Sequence, residues 1–370
     1  MPFFKVFVIR CLAFFSRSDL LPLQAMLQAR MGGALNSLGE FDRAREFLRV
    51  ANDALAAFGD KAELAYAKLL LGNGWLAQGK LAEAEAAFAA VLEAEDGYVA
   101  GAVLANLGVI DQRLGRLAQA IARYDARLRQ ARTAGDIRNQ AIARLNASTV
   151  YHGQSNYAEA ETALREAESL WAQTNDRIGS AMTLGNLGEL LMTQNRLDEA
   201  ESCFQRALQS FRGVGQRHMI SSTLGSLGKL AFLRGRIDDA VSHLHDCLHI
   251  AQAIDATDQL AIHRQTLADV HLARNDEVAA RSTLLAALSA AGTAGERRQQ
   301  FECVLRLARL EIRQNRMTQV HRALAALRAE PNLPEDICSE VDVLTKSVPT
   351  TTASPIMSLD ALIDAVIERG

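Results

Sequence analysis

The sequence predicts an all-α fold, a solenoid of about eight helix-turn-helix repeats closed by a C-terminal capping helix. Three observations predict it. Segments align with one another without gaps at multiples of 40 residues, small residues recur where paired helices must cross, and the composition favours helices. Alanine and leucine dominate while aromatics make up only 5%, which suits helices packed through small side chains and disfavours strands.

The aligned segments are NLGVIDQRLGRLAQAIARY, NLGELLMTQNRLDEAESCF and SLGKLAFLRGRIDDAVSHL, which begin at residues 106, 186 and 226. Following one small residue along the chain gives Gly32, Gly72, Gly108, Ser148, Gly188, Gly228, Ala268 and Ala308, with a single shortened interval of 36. That makes eight units. Twelve positions after each stands Ala44, Ala84, Ala120, Ala160, Ala200, Ala240 or Ala280, with Val320 the departure. Side chains this small let two antiparallel helix backbones approach closely, so these pairs mark helix crossings.

Between them, seven residues after the first small residue, stand Gly39, Gly79, Gly115, Asn195, Gly235, Asn275 and Asn315, residue types that accept the left-handed conformation ending a helix. Ser155 breaks the series in the fourth unit. Because Asn156 follows it, the turn there is expected to shift by one residue. Four residues past each alanine position the chain is large and apolar, reading Leu48, Phe88, Tyr124, Leu164, Phe204, Leu244, Leu284 and Leu324. These are read as wedges between neighbouring units.

Together these features resemble the tetratricopeptide repeat superfamily in its forty-residue form, over residues 22 to 329. The GNLG segment at 185 to 188 and NLG at 106 to 108 are similar to units of kinesin light chains, of Pins-type polarity scaffolds and of the sensor arm in MalT-type bacterial regulators. The resemblance implies a right-handed α-solenoid whose ends need polar caps. Residues 1–21 form an apolar N-terminal segment, 22–330 the eight repeats, 331–348 the capping helix, 349–357 a linker rich in proline and threonine, and 358–370 an amphipathic tail helix. In the tail, Leu359, Leu362, Ile363, Val366 and Ile367 share a face, Ser358 stands at the start to cap it, and Asp360, Asp364 and Glu368 make an acidic row.

The first fifteen residues, MPFFKVFVIRCLAFF, hold five of the thirteen phenylalanines, but Lys5 and Arg10 interrupt the run and no cleavage pattern follows. It reads as a packing segment or the cut end of a longer chain rather than an export signal, and it is too short to span a bilayer. Formal net charge is −3 with no basic stripe, so phosphate attraction has no source and nucleic acid is not an expected partner. Cys11, Cys203, Cys247, Cys303 and Cys338 are far apart without a CxxC pair, which argues against disulfides and structural zinc and for a reducing, cytoplasmic setting.

No phosphate-loop, dinucleotide, zinc-protease or nucleophile-elbow motif occurs, so neither an enzyme nor a bound cofactor is expected. In HLHDCLH, His245 and His249 are four apart and are able to share a metal, but Leu244 and Cys247 fall in the buried seam, which places the histidines toward solvent. No metal is expected there.

What remains is recognition of a protein or peptide. The resemblance implies that the first helix of each unit lines a concave groove and that the residue two before the small position contacts a bound peptide. Here those residues are Asn106, Asn146, Asn186 and Ser226, short groups able to hold the main chain of an extended segment or, on the plainer reading, to bond between repeats. Neighbouring groove positions add Gln112, His152, Glu189, Lys229 and Asp269. Arg306, Arg309 and Arg313 share a helix face by their spacing and form a candidate carboxylate site or an ordinary solvated face. A linker of about ten residues stretches roughly 30 Å, so the acidic tail is expected to reach those arginines and compete with the external partner. The function read from this pattern is a scaffold binding a partner peptide or helix. The alternative is the sensing arm of a larger MalT-type transcriptional regulator, in which such an array follows a nucleotide-binding switch.

Overall fold

The computed structural model describes residues 21–92, 97–331, 333–348 and 358–367. The N-terminal segment through residue 20 and the linker at 349–357 lie outside the described residues. All regular structure among the described residues is helical. Among the described residues eight antiparallel helix pairs follow one another along the chain. They are α1 (Leu21–Ser37) with α2 (Phe41–Phe58), α3 (Lys61–Ala77) with α4 (Leu81–Leu92), α5 (Gly97–Arg113) with α6 (Leu117–Thr133), and α7 (Ile137–Gly153) with α8 (Tyr157–Thr174). The series continues with α9 (Arg177–Thr193) and α10 (Leu197–Val214), α11 (Arg217–Leu233) and α12 (Ile237–Ala253), α13 (Thr257–Ala273) and α14 (Glu277–Ala294), and α15 (Arg297–Arg313) and α16 (Met317–Arg328). Two more helices follow, α17 (Glu335–Ser347) and α18 (Leu359–Ile367).

The chain divides within α9, between Thr183 and Leu184, into two compact units. In the first unit the first helices α1, α3, α5 and α7 touch in succession, and in the second unit α11, α13, α15 and α17 do the same. Among the described residues no comparable contact joins successive second helices. First helices therefore line the tighter, inner side of each unit. The cap α17 takes the place that the first helix of another pair would occupy.

The small residues are demanded by the wedges more than by the alanines. A Cβ on Gly108 would lie 2.4 Å from the Tyr124 ring, on Gly72 2.4 Å from Phe88, and on Gly188 2.6 Å from Phe204. All three aromatic wedges of the series face glycine, whereas Ser148, Ala268 and Ala308 face the leucines 164, 284 and 324. The wedge thus plugs the crossing of its own pair, and it also reaches onward: Leu48 packs with Ala67 of the following pair. Each wedge taken fully out of water contributes roughly 1.5–3 kcal/mol.

The turns keep one geometry. Gly39, Gly79, Gly115, Asn195, Gly235, Asn275 and Asn315 all have positive φ, and so does Ser155 at 61°. The expected one-residue shift is corrected: Asn156 has φ −81° and the serine itself takes the left-handed position, because the packing of α7 on α8 sets the turn length. Several first helices start from an aspartate cap. Asp60, Asp136 and Asp176 accept from the backbone N–H of Glu63, Asn139 and Gly179 at 3.1, 2.9 and 2.9 Å.

The tail helix is capped by Ser358, whose hydroxyl accepts from the Ala361 N–H at 3.3 Å. It packs on the second helices α14 and α16. Leu359, Leu362 and Ile363 are buried in one core with Leu288, Leu307 and Leu324, and Asp360 pairs with Arg297. The expected docking on Arg306, Arg309 and Arg313 is therefore corrected. Burying an apolar helix face in an open apolar seam outweighs exposed ion pairs, which are worth little.

Candidate functional site

In the first unit, Asn106 on α5 is half-buried and donates from Nδ2 to Oδ1 of Asn73 on α3 at 2.7 Å. Asn146 on α7 is also half-buried, but its side chain has no hydrogen-bond partner among the described residues. Met182 is exposed at the start of α9 in the same unit. His152 stacks edge-on against Tyr157 at 5.9 Å beside the α7–α8 turn, and Gln112 is half-buried at the end of α5.

In the second unit, Ser226 on α11 donates to the Glu189 carboxylate on α9. Asn186, one turn earlier on α9, is half-buried and has no side-chain partner among the described residues. Lys229 and Ile262 are exposed on the first helices that follow. The serine and the first asparagine thus bond between repeats, while the side chains of Asn146 and Asn186 bond to no described residue.

The arginine face is largely used internally. Arg306 donates from Nη1 to Gln265 Oε1 at 2.8 Å and pairs with Asp269 at 3.4 Å and Glu302 at 3.8 Å. Arg309 pairs with Glu340 of the cap at 2.8 Å. Arg313 is exposed, with no acidic partner among the described residues. Burial pushes the Asp269 carboxyl up, and the positive charges of Arg306 and Arg309 oppose that rise. Helical spacing shows which arginines share a face, but not which acids the next helix turns toward them.

Two polar residues on this inner side escaped the sequence reading. Gln265, buried, links Arg306 to Gln299, to whose Oε1 it donates at 2.7 Å. His263 is buried against Gly225, where a Cβ would come within 2.0 Å of the imidazole. Burial holds that imidazole down at about 4, with Asp258 opposing the drop and Lys229 adding to it. The signal for both was a polar residue in rows that are small or apolar elsewhere, such as Leu305 at the position matching Gln265. On α12, His245 and His249 are exposed while Leu244 and Cys247 are buried.

Residues 133–341 match the family described as the MalT-like TPR region. The chain belongs to that family. Among solved structures, this tetratricopeptide array is similar to a Rap protein complexed with competence and sporulation factor, at 11% identity and a TM-score of 0.63, over 88% of this chain and 91% of that one. It is also similar to the apo form of the quorum sensor NprR from B. thuringiensis, at 14% identity and a TM-score of 0.59, over 80% and 86%. A third likeness is to the APC/C hetero-tetramer Cut9-Hcn1, at 18% and 0.53, over 77% of this chain and 50% of that one. At these identities the likeness concerns the fold. No curated protein matches. Among the described residues no helix is long and apolar enough to cross a membrane.

Proposed function

We propose that this array is a scaffold that binds a segment of a partner protein on the inner, first-helix faces of its units. The observation that carries the reading is the contrast at one repeat position. Asn106 and Ser226 are bonded to neighbouring repeats, whereas Asn146 in one unit and Asn186 in the other keep half-buried amides without a side-chain partner. A side-chain amide donates and accepts at once, which matches the alternating N–H and C=O of an extended main chain. Exposed Met182 and Ile262 add apolar contact in their respective units, and Lys229 and Arg313 supply charge for acidic residues of the partner. Gln112, His152, Glu189 and Asp269 line the same faces, and Arg306 and Arg309, already paired, hold repeats in register.

The reading places the protein in a reducing, cytoplasmic setting. Cys203, Cys247 and Cys303 are buried and form no disulfide among the described residues, and burial pushes the Cys247 and Cys303 thiols up to about 11 and about 12. Such thiols are inert packing groups.

The test is a pull-down and titration comparing wild type with Asn146→Ala and Asn186→Ala. Each substitution is expected to weaken the partner by on the order of tenfold, the effect of about 1 kcal/mol per lost hydrogen bond or somewhat more, with an unchanged thermal midpoint. Equal affinity for all three proteins would overturn the reading. A second reading, the sensing arm of a MalT-type signalling regulator, is supported by the family match over residues 133–341. It predicts that the amide-dependent partner is a nucleotide-binding or DNA-binding module, so the mass-spectrometric identity of that partner separates the two.

A further inference from the structure

Beneath the tail helix lies a cavity of about 280 Å³ that the partner-binding faces do not use. Its walls are Leu288 of α14, Leu307 and Ala308 of α15, Ala323 of α16, and Leu362 and Ile363 of α18. All six are buried and apolar. Val304, Ala365 and Val366 extend the apolar lining, and the charged groups gather beside the turn between α15 and α16, where Arg281, Glu311, Arg316 and Arg322 meet the cavity. Glu311 is buried and bonded to both Arg281 and Arg316. Its single charge leaves the cluster with an excess of positive charge.

Two of the guanidinium groups have unused donors. Nη2 of Arg316 is buried without a hydrogen-bond partner, and half-buried Arg322 has no acidic partner among the described residues. An unpaired guanidinium donor beside an apolar cavity is matched by an acceptor of negative charge.

We propose that this cavity binds a small aliphatic monocarboxylate, its carboxylate held by Arg316 and Arg322 and its chain lying among the leucines under the tail helix. A guanidinium meets a carboxylate through two parallel hydrogen bonds, a geometry a hydroxyl does not share. Glu311 is paired with Arg281 and Arg316, so Arg322 is the guanidinium left entirely for a ligand, and one carboxylate matches it. The lining presents no aromatic ring, and its wall under the tail helix is apolar, which selects an aliphatic body over a sugar or a base. The volume stands near the lower end of small-molecule pockets, roughly 300–1,000 Å³, and fits a chain of modest length.

Because Leu362 and Ile363 form one wall, the occupied cavity binds the docked tail more tightly than the undocked one. Ligand and tail are therefore linked, and each stabilises the other.

The probe is octanoate, titrated calorimetrically into the full chain, with octylammonium and acetate as controls for charge and for chain. Octanoate is expected to bind saturably at one site and to slow hydrogen exchange across residues 358–367, with both controls at least about tenfold weaker. Arg322→Gln removes the free guanidinium without touching the Glu311 pairs and is expected to weaken octanoate about tenfold or more. Ala323→Leu fills the cavity from a wall and is expected to abolish binding even if the arginine variant folds poorly. The proposal is overturned if octanoate fails to saturate, if octylammonium binds as tightly, or if the folded variants bind octanoate like wild type. These outcomes are independent of the Asn146 and Asn186 comparison.

Discussion

His263 shows how one residue sets a condition on its surroundings. Its imidazole lies against Gly225, so that any side chain there would displace it, and burial keeps it neutral with a value of about 4. The unfolded chain takes up a proton near the ordinary value of about 6.5, whereas the folded chain refuses it until about pH 4. The neutral form is the one the fold accepts, so this contribution is complete above about pH 6.5 and is lost as pH falls toward 4. The gap corresponds to about 3 kcal/mol, at 1.36 kcal/mol per tenfold change in proton affinity. Urea midpoints measured between pH 7 and 4 are expected to fall steeply for wild type and less steeply for His263→Gln. Identical slopes would show that the imidazole charges without penalty. Gly225 was legible as a small residue, but the ring that requires it comes from the next first helix, 38 residues on, and no local pattern announces that contact.

Helices and turns were the most legible level, because their constraints are local. A left-handed turn residue must be glycine or a tolerant polar residue, and that need repeats along the chain wherever the pair does. The fourth unit departs in composition and not in geometry, since Ser155 adopts the same conformation at φ 61°. A non-glycine residue there costs roughly 1–2 kcal/mol, partly offset by the greater freedom that glycine loses on folding. Ser155→Gly is therefore expected to stabilise the protein by about 0.5–1 kcal/mol in denaturant titration, and a loss of stability would mean that the hydroxyl makes a compensating contact. The second series of left-handed residues, Gly59, Gly135, Asn175, Gly215, Asp255 and Gly295, lies where one pair hands over to the next. It carries the same forty-residue period, in residue types that are frequent elsewhere in the chain.

At the scale of each compact unit a pair buries its apolar face against its neighbours, so stability there is a sum of adjacent interfaces and the last interface needs a cover. In the second unit α17 supplies that cover through Ile337 and Val341, both buried against α15 and α16. Val341→Asp places a charge where no water reaches. Hydrogen exchange is expected to accelerate first in α15 and α16 and to remain slow in α1 to α4, whereas uniform acceleration would show that the array unfolds as one block. The tail helix adds a second cover on α14 and α16, a placement decided by seam shape and not by charge.

The sequence by itself determined the helix pairs, their forty-residue period, the left-handed turns and the capping helix, because each follows from steric demands within a few residues or from repetition of one pattern. Only the tertiary structure decided which polar groups are spent and which are free. Ser226 meets Glu189 from 37 residues away and Arg306 meets Gln265 from 41, and the tail chose α14 and α16 over the arginine face. Such pairings depend on the rotation and offset of neighbouring helices, which are fixed by how whole faces pack and leave no mark at the spacing of any single motif.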